Sequence, residues 1–276
     1  MQTCLVVKKM QNKPISAISE NDATGEIAEI YNDIRTALGN GVVNLIWRHL
    51  ATIDGALPWV WQAVKPLYVS DVLKTEASLL CESIILPEVN AFPEAVLGVL
   101  NISNQDRHII QNILDSYNKG NAFNLLALSA LTASPADRKK NVTANQNFAE
   151  DINIPELVSL DSMSAQTKSL VLLLSEIGAA EDSNIIPSLY RHLAYWPNFL
   201  CLAWNTLVSL NASGQLKSMT NLTHNLAMDQ GASIADSVVW GAEPLTAAKA
   251  MIAIDNFRIS TISRMLPIGL ILRKAI

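Results

Sequence analysis

Charge is scarce in this sequence, and so is cysteine. Only 16% of the 276 residues are Asp, Glu, Lys or Arg, against 50% hydrophobic, and the formal net charge is −5. There is no basic excess and no run of Lys/Arg to neutralise phosphates, so nucleic acid is not an expected partner. The three cysteines, Cys4, Cys81 and Cys201, stand far apart with no CxxC. That leaves no basis for a disulfide framework, a structural zinc site or a dithiol redox centre. Long apolar runs are missing too. "SLVLLLSEIGAA" is broken by Glu176 and "MLPIGLIL" by Pro267, both far short of the roughly 20 residues that span a bilayer. The N-terminal "MQTCLVVKKMQNKP" places its apolar patch before its lysines, the reverse of a secretory signal. A reduced, cytoplasmic chain with no membrane partner is the expectation. The Asn-x-Ser/Thr sites at Asn101, Asn141, Asn211 and Asn221 are then chance matches. GxSxG, P-loop and dinucleotide fingerprints are absent. His108 and His224 have no second His or Cys at ligand spacing, so neither a metal nor a cofactor is expected.

What the sequence does have is a repeated phrase. "IWRHLATIDGALPWVW" (46–61) returns as "LYRHLAYWPNFLCLAW" (189–204). At an offset of 143, Arg48-His49-Leu50-Ala51 falls on Arg191-His192-Leu193-Ala194, Leu57 on Leu200 and Trp61 on Trp204. Apolar positions agree from Ile27 to Leu79 with no gap. The match returns near the ends, where "NAFNLLALSAL" (121–131) lies over "RMLPIGLILRK" (264–274). Two copies make no solenoid. The pattern implies duplication and fusion: a first repeat at 1–132, a linker at 133–163 rich in Asn, Asp and Ser, and a second repeat at 164–276. A fused pair keeps an approximate two-fold axis, and its pocket is expected where the halves meet. The apolar composition also allows a homodimer.

Spacings of three and four dominate each repeat. In "GEIAEIYNDIRTAL", Ile27, Ile30, Tyr31, Ile34 and Leu38 form one stripe, with Gly39 as a stop signal. "DRHIIQNILDSYN" repeats the logic and is closed by Gly120. Pro58 and Pro197 suit helix starts. No alternating strand is evident, so the expected fold is all-α with five or six helices per repeat.

Candidate polar residues follow from this frame. Arg48 and Arg191 are natural forks for a carboxylate facing the inter-repeat cavity, or else each ties its helix to a carbonyl or acidic partner in the same way. His49 and His192 allow the same two readings. Trp47, Trp61, Trp196 and Trp204 fit core packing. Asn118 and Asn121 flank Lys119-Gly120 within a helical context, where Asn is unfavourable without a polar duty. The alternative is a helix break at Gly120. At 143 residues on, Asn121 is replaced by Arg264.

The stretches "YNDIRTALGNGVVNLIWRHLATIDGALPWVW", "SYNKGNAFNLLALSAL" and "PSLYRHLAYWPNFL" resemble the group I 2-haloacid dehalogenases, helical enzymes that accept both enantiomers. Order and spacing across both halves carry the likeness. It implies an all-helical pair of repeats. It also implies hydrolysis in which an aspartate activates water to displace halide from the α-carbon of a 2-haloalkanoate, with no ester intermediate. The family's asparagine that orients this water matches Asn121. The Ser preceding the aspartate matches Ser188, and the aspartate position holds Leu189. Aromatic pocket residues fall on Val42 and Leu45. A leucine takes no proton, and a general base contributes roughly 10²–10⁴-fold. His192, His49 or Asp182 would have to substitute. The expected ligand is a small (halo)carboxylic acid, either hydrolysed or, in the alternative, bound or transformed without dehalogenation.

Overall fold

The computed structural model of the protein describes residues 14–133 and 154–276. The N-terminal patch with Cys4, the Asn141 site and most of the expected linker lie outside that range. The first half contains α1 (Gly25–Leu38), α2 (Leu45–Leu50), α3 (Ala56–Tyr68), α4 (Asp71–Ser83), α5 (Glu94–Val99) and α6 (Asn104–Thr132). The second contains α7 (Ala165–Glu176), α8 (Ser188–His192), α9 (Pro197–Ala212), α10 (Gln215–Ile234), α11 (Ala247–Asn256) and α12 (Ser263–Ala275). Short 3₁₀ turns occupy Leu193–Tyr195 and Ala235–Ser237, and a π-helical turn, Phe257–Ile262, joins α11 to α12. The fold is all-α, with no strand among the described residues.

Local sequence accounts for these ends. α1 buries Tyr31, Ile34 and Leu38 and stops at Gly39, whose φ of 54° favours glycine. α6 starts with a capping box: Ser103 Oγ accepts from the Asp106 N–H, and Asp106 accepts from the Ser103 N–H. Ser70 and Ser164 cap α4 and α7 with their hydroxyls, and Pro197 opens α9, where its missing N–H costs little. Gly120 does not break the chain's helix. α6 runs through it for 29 residues, roughly 43 Å at 1.5 Å per residue. Glycine is there for room, since a Cβ would lie 2.9 Å from Asn40 Nδ2 and from Asn44 Oδ1.

The helix starts also correct the gap-free register. α2 and α8 begin at 45 and 188, and α6 and α11 at 104 and 247, in both cases 143 apart. α1 and α7 begin at 25 and 165, only 140 apart. The Ser19–Asp22 turn likewise recurs at Ser159–Ser162. The interval from α7 to α8 is therefore three residues longer than that from α1 to α2. A three-residue slip returns a helical stripe to nearly the same face, so apolar pattern could not detect it.

Two apolar cores form, and each draws on both halves. The first gathers Tyr31 to Ile84 from α1–α4, Ala122 to Ala133 from the back of α6, and Ala250, Ala253, Ile254 and Phe257 from the second half. The second gathers Val171 to Met219, the end of α12, and Ile110, Ile113, Leu114 and Tyr117 from the front of α6. α6 and the α11–α12 rod thus each cross from one core to the other, packing along one another. Neither half closes a core without a segment of its neighbour.

Candidate active site

Where these rods cross, α6 and α8 enclose a small cavity of about 40 Å³. The first half contributes Asn44, Leu45, Ile46, Tyr117, Asn121 and Asn124, and the second contributes Pro187, Ser188, Leu189 and Met265. The π turn, whose wider coil departs from the α-helix, supplies Phe257, Thr261 and Ile262. In the volume open to the centre of a water molecule, this is space for a few waters, each needing about 10–15 Å³. Asn121, Ser188 and Leu189, separated by up to 68 positions in the sequence, meet here. Among the described residues no Asp, Glu, Lys, Cys or His lines the cavity.

A polar run leads out of it. Arg48, 5% exposed, donates from Nη2 to Ser188 Oγ at 2.7 Å and from Nε to the Val43 carbonyl at 3.0 Å. The Tyr117 hydroxyl meets His192 Nδ1 at 2.7 Å. Burial holds the Tyr117 pKa well above the usual phenol range, with Arg48, Arg191 and the Ser188 hydroxyl pulling it partly back. His192 is completely buried. Burial pushes its pKa down to about 4, against a pull upward from the Pro155 carbonyl and with a further push downward from Arg48 and Arg191. The ring is therefore neutral at pH 7. A neutral ring accepts on one nitrogen and donates on the other, and with the proton on Nε2 the Tyr117 hydroxyl donates to Nδ1.

A second cavity, of about 560 Å³, lies beside the first and shares Leu45 with it. Arg48, Arg191 and Val42 line this larger space, not the smaller one. The two arginines are tied to backbone carbonyls at positions that do not correspond between the halves. Each Nε secures a backbone carbonyl, Val43 for Arg48 and Val158 for Arg191 at 2.9 Å, while both side chains border one cavity.

Other candidates lie elsewhere. His49 binds the Ser16 carbonyl through Nδ1 at 2.7 Å and stacks on Phe257, and Asp182 is exposed. Neither lines the cavity that holds Asn121. Arg264 is buried, with Nη1 on the Ser175 and Ile177 carbonyls at the end of α7, so its role is to cap that helix. Trp47 and Trp61 pack edge to face at 5.4 Å, and Trp47 donates to Asn124 Oδ1 at 2.9 Å. Among the described residues no group of His, Cys, Asp and Glu could hold a metal ion, and no helix is long and apolar enough to cross a membrane. Sequence reasoning missed Tyr117, Asn44, Asn124 and Thr261. Tyr117 was counted only as part of an apolar stripe. Asn124 carried the same signal as Asn121, an amide inside a helix.

Known proteins agree with this architecture. Over 248 residues, 84% of this chain and 81% of the relative, the sequence is 25% identical to the configuration-inverting 2-haloacid dehalogenase of Pseudomonas sp. (strain 113). A solved D-2-haloacid dehalogenase mutant superposes with a TM-score of 0.79 at 16% identity, covering 95% of this chain and 96% of that one. A complex of D-2-haloacid dehalogenase with L-LA gives 0.75 at 17% identity over the same shares. These structures share the fold. No family model matches the chain.

Proposed function

We propose, from the premise that this chain is a helical relative of the 2-haloacid dehalogenases, that it is a hydrolase of the same kind acting on a small 2-halocarboxylic acid. The two halves derive from one duplicated unit, 1–132 and 164–276 joined by 133–163, and the small cavity between them is the reaction chamber. It admits water and the reacting end of the acid. Arg48 and Arg191 in the adjoining space draw the carboxylate, with Val42 and Leu45 as apolar wall. Water held by Asn121 attacks the α-carbon. A C–O bond forms as the C–halogen bond breaks, the halide leaves with the electron pair, and the centre inverts.

Leu189 stands where the family places its base, so the water's proton needs another acceptor. Tyr117 supplies the route: its hydroxyl gives its proton to His192 Nδ1 and takes one from the water, helped by Ser188. The carrying observation is that Asn121, Ser188 and Tyr117 line one cavity, with a neutral His192 bonded behind at 2.7 Å. A histidine with a pKa near 4 is a weak base, so turnover falls below that of an aspartate by part of the roughly 10²–10⁴-fold that base catalysis contributes. That weakness favours a second reading, in which the acid is bound and not dehalogenated. Halide release from 2-chloropropionate and 2-bromopropionate decides between them. Slow release above buffer, lost in His192→Gln, supports the hydrolase. No release across a panel of haloacids leaves only binding.

A further inference from the structure

We propose that the 560 Å³ cavity is a binding site for an amphiphilic monocarboxylate of medium chain length, its carboxylate held between Arg48 and Arg191 and its chain laid along Ile15, Ile154, Leu157, Leu160 and Ile186. This names the ligand class of the arginine-lined space. It rests on the proposed use of the two arginines as carboxylate receptors, and it is read by binding, apart from any turnover.

The argument begins with charge. Arg48 is nine-tenths buried and Arg191 half-buried, and neither forms an ion pair among the described residues. Neither carboxylate that lines the cavity is paired with them. Glu20 lines the same cavity, but its carboxylate is occupied by Arg35 at 2.7 Å and by the Val43 N–H at 2.9 Å. Glu156 is exposed. Arg191 has its pKa lowered by burial and by Arg48, which marks two like charges held within reach of each other. Buried cations without a partner are costly, and a carboxylate between them offsets that cost through charge-assisted hydrogen bonds. After the bonds to Val43, Ser188 and Val158, the guanidinium Nη1 of Arg48 and both Nη of Arg191 have no acceptor among the described residues.

Shape selects the rest of the ligand. The cavity falls in the 300–1,000 Å³ range of small-molecule sites, well above what a two- or three-carbon acid fills. Away from the arginines an aliphatic strip of Ile15, Ile154, Leu157, Leu160 and Ile186 runs along a wall that also carries Ser19, Asn21 and Ser159. Pro14, Leu160 and Ile186 also border a neighbouring space of about 410 Å³, so a chain has somewhere to continue. A headgroup without a tail would leave that surface wet, and a tail without a headgroup would leave the cations unmet.

Calorimetry and thermal melts on the full chain with octanoate, hexanoate, acetate and 1-octanol test this. Octanoate should bind and raise Tm. Hexanoate should bind about fifteenfold more weakly, since each of the two missing methylenes contributes about fourfold, and acetate and octanol more weakly still. Arg191→Gln should lower octanoate affinity at least tenfold. Leu157→Trp, which narrows the cavity while keeping both arginines, should do the same. Octanol binding as tightly as octanoate, no octanoate binding, or unchanged affinity in both variants overturns the proposal. Octanoate binding without halide release from haloacids overturns only the hydrolase reading. Halide release without octanoate binding overturns only this one.

Discussion

His192 makes stability depend on pH in a calculable window. Its ordinary pKa is 6.5, and in the folded chain it is near 4 because the ring is wholly buried. Between these values the unfolded chain binds a proton that the folded chain refuses, so stability falls as pH falls. Above pH 6.5 both states carry a neutral ring and nothing is lost. At pH 5 the unfolded state gains about 2 kcal/mol relative to pH 7.5, and below pH 4 the loss levels off at about 3 kcal/mol, taking 1.36 kcal/mol per unit. No discount for solvent screening applies to a fully buried group. The assay is urea unfolding at pH 7.5 and pH 5 for the wild type and for His192→Gln, which cannot titrate and whose side-chain oxygen can still accept from Tyr117. All other groups titrate alike in both proteins, so the difference between the two pH dependences isolates the histidine. The wild type should lose about 2 kcal/mol more than the variant. Equal losses would refute the reasoning, and with it the neutral ring that the proton route through Tyr117 requires.

Three further outcomes are expected. Leu189→Asp places a carboxylate in the cavity wall and should raise halide release from 2-bromopropionate by part of the roughly 10²–10⁴-fold that a general base contributes. Its cost is about 2–4 kcal/mol of stability, as apolar burial is lost and a carboxyl buried; a folded variant with unchanged release would count against the site. Tyr117→Phe leaves His192 Nδ1 without its donor and should cost about 1–3 kcal/mol while lowering any halide release, both measured on one preparation. Gly231→Ala tests a close helix approach against backbone, because a Cβ there would lie 2.6 Å from Ser129 Cβ and 2.8 Å from the Ala130 nitrogen. It should destabilise by about 1–3 kcal/mol despite a helix-propensity gain of about 1 kcal/mol, whereas Gly98→Ala, with nothing within 4 Å, should not.

The sequence by itself determined the helices, because the apolar stripe of Ile27 to Leu38, the Ser103–Asp106 cap and the Gly39 stop act over neighbouring turns. It also marked Asn121, an amide inside a helical stretch, while Ser188 came only from the likeness to the dehalogenases. Only the tertiary structure decided which polar groups meet. Arg48 reaches Ser188 across 140 residues and Tyr117 reaches His192 across 75, contacts that no local periodicity encodes. It also decided that the arginines border the larger cavity, that His49 and Asp182 lie apart from it, and that Gly120 gives room to Asn40 and Asn44 instead of ending a helix. The reason is the same in each case. A helix fixes the face a side chain occupies, while its partner is fixed by how α6 and the α11–α12 rod cross between two cores.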